Sequence, residues 1–176
     1  LLVPTSEGAG LTSACLGLIQ ALDTIGLKAG FLKPLRQDEL NGPGPDRSCA
    51  LVGSTLGLRP PAPIPQAEME RLLRQDRLDV LMEQVVALQE AALEADGAPD
   101  VLVMEGLVPT RHASYASQVN AQLAHALNAR IILVGSGDLA QPQVLAEQLD
   151  MHARAFGGVG SARTLGCILM RMHNMP

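Results

Sequence analysis

Aromatic side chains are almost missing from this sequence, which has no Trp, one Tyr and two Phe among 176 residues. That scarcity argues against a surface that stacks bases on rings, as nucleic-acid binders use, and leaves the core to Leu, Val, Ile, Ala and Met. A basic excess is missing as well. With 13 Lys and Arg against 18 Asp and Glu the formal net charge is −5, the wrong sign for a footprint on DNA, RNA or an anionic membrane. Neither nucleic acid nor membrane is expected as a partner, whereas small molecules and other proteins are. Cysteine is sparse: Cys15, Cys49 and Cys167 are odd in number, far apart and without a C-x-x-C spacing. They read as buried free thiols of a reducing compartment, not as a disulfide frame. No apolar run reaches the roughly 18 residues of a membrane span, and no basic segment with a cleavage site opens the chain. A cytoplasmic location is expected. Because the sequence starts inside an apolar run, Leu1-Leu2-Val3, we expect it to be a piece of a longer chain.

Short apolar runs of strand length recur instead, at Leu1 to Val3, Ala29 to Leu32, Val101 to Met104, Ile131 to Val134 and Leu165 to Met172. Between them the apolar period lengthens to that of a helix. Cys15, Leu18, Ile19, Leu22 and Ile25 share one helical face that Gly26 ends, and Leu78, Leu81, Met82, Val85, Leu88, Ala92 and Leu93 share another, before Asp96-Gly97. Further helices are expected from about Ser114 to Leu127 and from Pro142 to Ala155, the second with Pro at its start. Continuous apolar strands that alternate with amphipathic helices make a mostly parallel sheet covered on both faces. The expected fold is therefore α/β, three-layered and doubly wound, in a single domain over residues 1–176. The segment from Asp38 to Gln66 is rich in Pro and Gly (Gly42, Pro43, Gly44, Pro45, Pro60, Pro61, Pro63, Pro65). It is expected to hold one short helix, near Ser48 to Leu56, in the place where open α/β sheets put ligand loops, with a purely structural excursion as the equal alternative.

The first strand runs into Pro4-Thr5-Ser6-Glu7-Gly8-Ala9-Gly10-Leu11-Thr12-Ser13, with a helix after it. A glycine-rich turn between a strand and a helix amino-terminus points backbone N–H groups and the positive dipole end at one spot, which suits phosphate. Ser6, Glu7, Gly8, Gly10 and Thr12 are the ligand candidates of this P-loop-like turn. A working loop follows its last Gly with Lys, which neutralises phosphate charge, and then with Ser or Thr for Mg²⁺. Here Gly10 and Thr12 stand in place but Leu11 takes the Lys position. Losing that cation removes a charge-assisted contact worth about 1.5–3 kcal/mol. Tight ATP binding in the usual mode is not expected.

Lys33-Pro34 after the second strand, Asp46 in the next loop and Glu105-Gly106 at the end of the third strand resemble the dethiobiotin synthetase and cobyrinic acid amide synthetase branch of P-loop proteins. That resemblance implies a P-loop NTPase-like, dethiobiotin synthetase-like fold, and it assigns Lys33, Asp46 and Glu105 to substrate phosphates and Mg²⁺. Within the branch, Glu105-Gly106-Leu107-Val108-Pro109-Thr110-Arg111, Asp79-Val80-Leu81-Met82-Glu83, the Asn120, Ala124, Leu127-Asn128-Ala129 helix and Phe156-Gly157-Gly158 are similar to the amino-terminal domain of long phosphate acetyltransferases. The likeness covers essentially the whole chain in order. One departure stands out: nucleotide-using relatives end the last strand in an Asn that reads adenine, whereas Met170 follows Gly166-Cys167-Ile168-Leu169 here.

The resemblance implies a parent enzyme that interconverts acetyl-CoA plus phosphate with acetyl phosphate plus CoA, its chemistry lying in other domains. For this segment it implies oligomer stability and allosteric tuning by a small metabolite, with the remaining domains and further copies of the chain as partners. No catalytic residue, metal or cofactor is assigned. Two carboxylates without a triphosphate rarely retain Mg²⁺, so Glu105 is expected to accept hydrogen bonds from the glycine loop. Arg111, His112 and Tyr115, in the loop after strand three, are the interdomain-contact candidates, and a plain surface role is the alternative for them, as a solvated strand end is for Lys33. His125, His152 and His173 show no metal-ligand spacing, and Ser6, Ser13 and Ser136 have no His and Asp partners for a triad. Two rival classes remain: an ATP-dependent ligase or amide synthetase using Lys33, Asp46 and Glu105, and a partner-switching ATPase, which would want a Lys where Ser6 stands.

Overall fold

The apolar runs become strands because branched side chains pack well on a pleated surface, and among the described residues every strand pairing is parallel. The computed structural model describes residues 1–42, 44–94, 97–137 and 142–172. Pro43, Asp96 and His173, which enter the sequence readings, lie outside the described residues. The chain divides into two compact units, Leu1–Ala14 with Gly106–Pro176, and Cys15–Glu105. Helix α1 (Leu11–Thr24) begins in the first and ends in the second.

In the first unit β1 (Leu2–Pro4), β4 (Ile131–Ser136) and β5 (Thr164–Met170) form one parallel sheet in the order β1-β4-β5. The central strand is the driest: Ile131 and Val134 are completely buried. Helices α6 (Ala116–Ala126) and α7 (Pro142–Arg154) belong to this unit, burying Val119 and Leu123 from α6 and Leu145 and Ala153 from α7. Strand β4 runs two residues beyond the expected Val134, since Gly135 and Ser136 continue the register with Leu169 and Met170. Strand β5 stops two residues before the expected Met172.

The second unit pairs β2 (Ala29–Leu32) with β3 (Val101–Met104), residue for residue from Ala29 with Val101 to Leu32 with Met104. Helix α5 (Leu78–Glu94) packs Leu81, Met82 and Val85 inward and contacts β2. The Pro-rich segment holds α3 (Arg47–Leu56), as expected, but also the short α2 (Asp38–Asn41). Its far end is sewn back to the chain after β2, where Ile64 N–H donates to Pro34 O at 2.9 Å and Arg36 N–H to Ile64 O at 2.9 Å. Helix α4 (Gln66–Arg74) was not anticipated from the apolar period. It buries only Met69 and Leu72 and depends on charge placement, with Glu68 in its first turn, Arg71 and Arg74 in its last, and ion pairs Glu68–Arg71 and Glu70–Arg74 along its side.

The cysteines depart from expectation in one case. Cys15 is buried and Cys49 half-buried, but Cys167 is exposed. It sits on β5, an edge strand of the described sheet whose side chains are mostly uncovered, including Leu165 at 62% exposure.

Candidate functional site

The glycine loop leaves β1 with its first turn fixed to the neighbouring strand, since Thr5 donates to Val134 O through its N–H at 2.9 Å and its hydroxyl at 3.4 Å. Gly8 and Gly10 then adopt φ of +74° and +81°, values that side chains with a Cβ rarely tolerate. The turn closes onto α1, where Ala14 N–H donates to Gly10 O at 2.9 Å. Ser6, Glu7 and Gly8 are exposed, and Gly10 and Thr12 are half-buried. Leu11 points away from water at 6% exposure, so the residue in the Lys position packs as a core group. The loop is also covered from the last strand. A methyl group built on Gly10 would meet two carbons of the Met170 side chain at 3.4 Å, which places an apolar thioether against the glycine. His152 of α7 is hydrogen-bonded to the Thr5 backbone, and burial holds its pKa below the ordinary 6.5. Sequence spacing gave no hint of that neighbour, because α7 lies far along the chain.

The three ionisable residues of the second unit that the resemblance singles out converge. Lys33 follows β2, Asp46 opens α3 and Glu105 ends β3; all three are buried, at 5%, 4% and 3% exposure. The Lys33 ammonium lies 2.9 Å from Glu105 Oε1 and 3.4 Å from Asp46 Oδ2. Ser48, which sequence reasoning missed, completes the group: its hydroxyl accepts from Lys33 at 3.1 Å and donates to Glu105 Oε1 at 2.8 Å. Asp46 has a second task. As N-cap of α3 its Oδ1 accepts from the N–H groups of Ser48 (3.0 Å) and Cys49 (3.1 Å), the usual way an Asp satisfies orphan helix donors. The Asp46-Arg47-Ser48 order carried that capping signal.

The electrostatics follow from burial. Desolvation pulls the Lys33 pKa down, but Glu105 and then Asp46 oppose it more strongly and leave it raised above 10.5. Burial first, then the Asp46 charge, pushes the Cys49 thiol up to about 12, and burial with Glu105 raises Cys15 well above 9.0. Neither thiol is a nucleophile at neutral pH. One ammonium faces two carboxylates, and Asp46 Oδ2 and Glu105 Oε2 have no hydrogen-bond donor. The Lys33 ammonium, 2.9 Å from Glu105 Oε1 and 3.4 Å from Asp46 Oδ2, already stands where a divalent cation would bridge the two carboxylates. No group of three or more His, Cys, Asp or Glu side chains suited to a metal is present among the described residues. The hydrogen bonds found for Glu105 come from Lys33 and Ser48, where the sequence reading expected the glycine loop.

The loop after β3 is pinned by a buried amide. Asn120, 1% exposed, accepts from Leu107 N–H through Oδ1 and donates to Leu107 O through Nδ2, both at 2.8 Å. Gly106 is hemmed in beside it, since a Cβ there would come within 2.9 Å of both Leu2 O and Asn120 Oδ1. The loop then folds on itself, with Ala113 N–H donating to Thr110 Oγ1 at 3.1 Å. Arg111 and His112 are left exposed at its tip, and Tyr115, half-buried, stands at the N-cap position of α6 with no side-chain capping hydrogen bond. Asn120→Ala is expected to strand both Leu107 groups and destabilise the chain by about 2–4 kcal/mol. Urea unfolding would measure the loss, and a change under about 0.5 kcal/mol would mean that water replaces the amide.

Comparison with known proteins agrees with this geometry. A family described as an AAA domain matches residues 1–175. Phosphate acetyltransferases are similar along nearly the full chain: that of Pseudomonas putida is 42% identical over 171 residues, that of Pseudomonas aeruginosa 44% over 171, and that of Nitrosomonas europaea 46% over 168. These alignments cover 97%, 97% and 96% of this chain but 24% of each relative, so the chain spans about a quarter of the length of the proteins it matches. The chain belongs to the AAA domain family, and the resemblance to the amino-terminal domain of long-form phosphate acetyltransferases drawn from its sequence is borne out.

Proposed function

We propose that the chain is a non-catalytic domain that stabilises assembly and tunes the activity of a phosphate acetyltransferase, the enzyme that interconverts acetyl-CoA plus phosphate with acetyl phosphate plus CoA. The observation that carries this reading is the state of Lys33. Its cation is buried and already neutralised by Glu105 and Asp46, which turns the residue assigned to phosphate into a structural ion cluster. Leu11 in the core and Met170 against Gly10 support the same reading. A fold that keeps its turn and its core while its ligand charges face inward serves through its surfaces, and an allosteric domain needs to favour one global state by only about 1–3 kcal/mol. The exposed tip at Arg111 and His112 is the proposed contact with another domain or another copy.

The rival reading, an ATP-dependent ligase resembling dethiobiotin synthetase, draws on the two carboxylate oxygens without donors, Asp46 Oδ2 and Glu105 Oε2. It is the weaker of the two, because binding a nucleotide there would first require the Lys33 cluster to open.

Deleting the domain from the parent enzyme tests the main reading. The truncated enzyme is expected to keep acetyl transfer while its assembly weakens and its response to metabolite effectors changes, read by sedimentation and steady-state kinetics. Arg111→Ala should reproduce part of the assembly defect. Unchanged oligomer size together with an unchanged effector response would overturn the proposal. Loss of all acetyl transfer in a folded truncation would place the domain in the active site instead.

A further inference from the structure

Two adjoining cavities open on the first unit where β4 and β5 begin, about 420 and 230 Å³ in volume, and they share Arg163 as a wall. The larger is lined by Gln122 and His125 from α6 and by Phe156 just after α7, with alanines between them. The smaller adds Asn128 and Arg130. In a chain with five more acidic than basic side chains, neither cavity has an Asp or Glu in its lining among the described residues. Two guanidinium groups, an imidazole and two carboxamides are therefore gathered at one place, with no carboxylate among the described lining residues.

The guanidinium of Arg163 is held rather than loose. One of its nitrogens donates to Ala124 O at 3.2 Å, and its backbone N–H donates to Ser161 Oγ at 3.2 Å. Arg130 is anchored likewise, on Ala162 O. These carbonyls account for one nitrogen of each fork. Arg163 itself lines both cavities, and a planar guanidinium fork matches the two oxygens of an oxyanion. Phe156, buried at 8% exposure, and the alanines give the larger cavity an apolar side. A ligand that satisfies both walls has a carboxylate at one end and a short carbon body at the other. The volume falls in the range of small-molecule sites.

We propose that this cleft binds a small organic carboxylate through Arg163, with His125 and Gln122 beside it and the carbon body against Phe156. Its use as a regulatory port rests on the non-catalytic reading above, but binding is measured on this chain without the parent enzyme, so either claim can fail while the other stands.

The test is an amide-resolved NMR titration of the isotope-labelled chain with succinate, propionate and inorganic phosphate at low ionic strength. Succinate is expected to shift Gln122, His125, Phe156 and Arg163 together, with phosphate several-fold weaker because it has no carbon body. Arg163→Gln should weaken succinate by about tenfold or more, with its fold checked by thermal melting. His125→Gln, a change at an exposed position, should weaken it a few-fold and keeps the test valid if the Arg163 variant unfolds. Shifts scattered over the surface, succinate binding that survives both substitutions, or phosphate binding as tightly as succinate would overturn the assignment.

Discussion

Lys33→Met is expected to destabilise the chain by about 3–5 kcal/mol, the largest loss of any single substitution considered for it. Removing the ammonium leaves Asp46 and Glu105 facing one another's field at 4% and 3% exposure, with the Ser48 hydroxyl able to satisfy only one of them. An isolated buried carboxylate is costly because the interior cannot replace its water. The strand ends and the α3 cap that the three residues tie together would loosen with it. The double variant Lys33→Met, Glu105→Met should recover part of the loss, because it removes a charge on each side and leaves Asp46 with its two helix N–H donors. A cycle of the two single variants and the double, read by urea unfolding, is expected to show coupling above about 1.5 kcal/mol. The same cation sets an alkaline limit. A folded-state pKa raised above 10.5 means that the contribution is complete below that pH and is lost as pH rises through the folded value. A Lys33→Met variant within about 1 kcal/mol of the parent would show that the ammonium is solvated and open to a ligand.

What the sequence disclosed, and what it hid, separate along physical lines. Strands β2 and β3 were legible to the residue because neither run carries a polar side chain, and Lys28, Lys33-Pro34, Asp100 and Glu105-Gly106 bound them. Odd number and wide spacing make Cys167 read as a buried thiol, but β5 lies at an edge of the described sheet and leaves Leu165 and Cys167 uncovered. Helix α4 escaped because periodicity counts apolar side chains, and this helix contributes only Met69 and Leu72 while its Glu and Arg residues at three- and four-residue spacing carry the signal. Within the candidate site, Lys33, Asp46 and Glu105 were readable only through resemblance, and resemblance gave them to a ligand. Ser48 was unreadable, since a lone serine two residues after an aspartate looks like any first helical turn. Asp46 before a helical run carried a capping signal, but that Lys33 is satisfied within the protein is a fact of three-dimensional arrangement that no spacing encodes.

Mg²⁺·ATP is expected to bind the chain no more tightly than about millimolar, near −4 kcal/mol, where a working P-loop protein at micromolar affinity has about −8 kcal/mol. The backbone part of the binding device is present. Gly8 and Gly10 hold left-handed φ values, and α1 starts directly after Gly10, so a helix dipole remains, worth about 0.3–1 kcal/mol for an exposed anion. The charged part is not. Leu11 supplies no ammonium and is packed at 6% exposure, so that even Leu11→Lys would have to drag a charge out of the core before it met a phosphate. Lys33 is neutralised by Glu105 and Asp46, and releasing it would leave those carboxylates unpaired. A missing charge-assisted contact alone costs about 1.5–3 kcal/mol, a large part of the roughly 4 kcal/mol between micromolar and millimolar. Met170 against Gly10 adds an apolar contact that a nucleotide would have to displace. Titration calorimetry with Mg²⁺·ATP, repeated with inorganic triphosphate, reads the prediction directly. A micromolar constant that Glu105→Gln abolishes in a folded variant would show that the ion cluster opens to admit the nucleotide, and it would return the chain to the ligases.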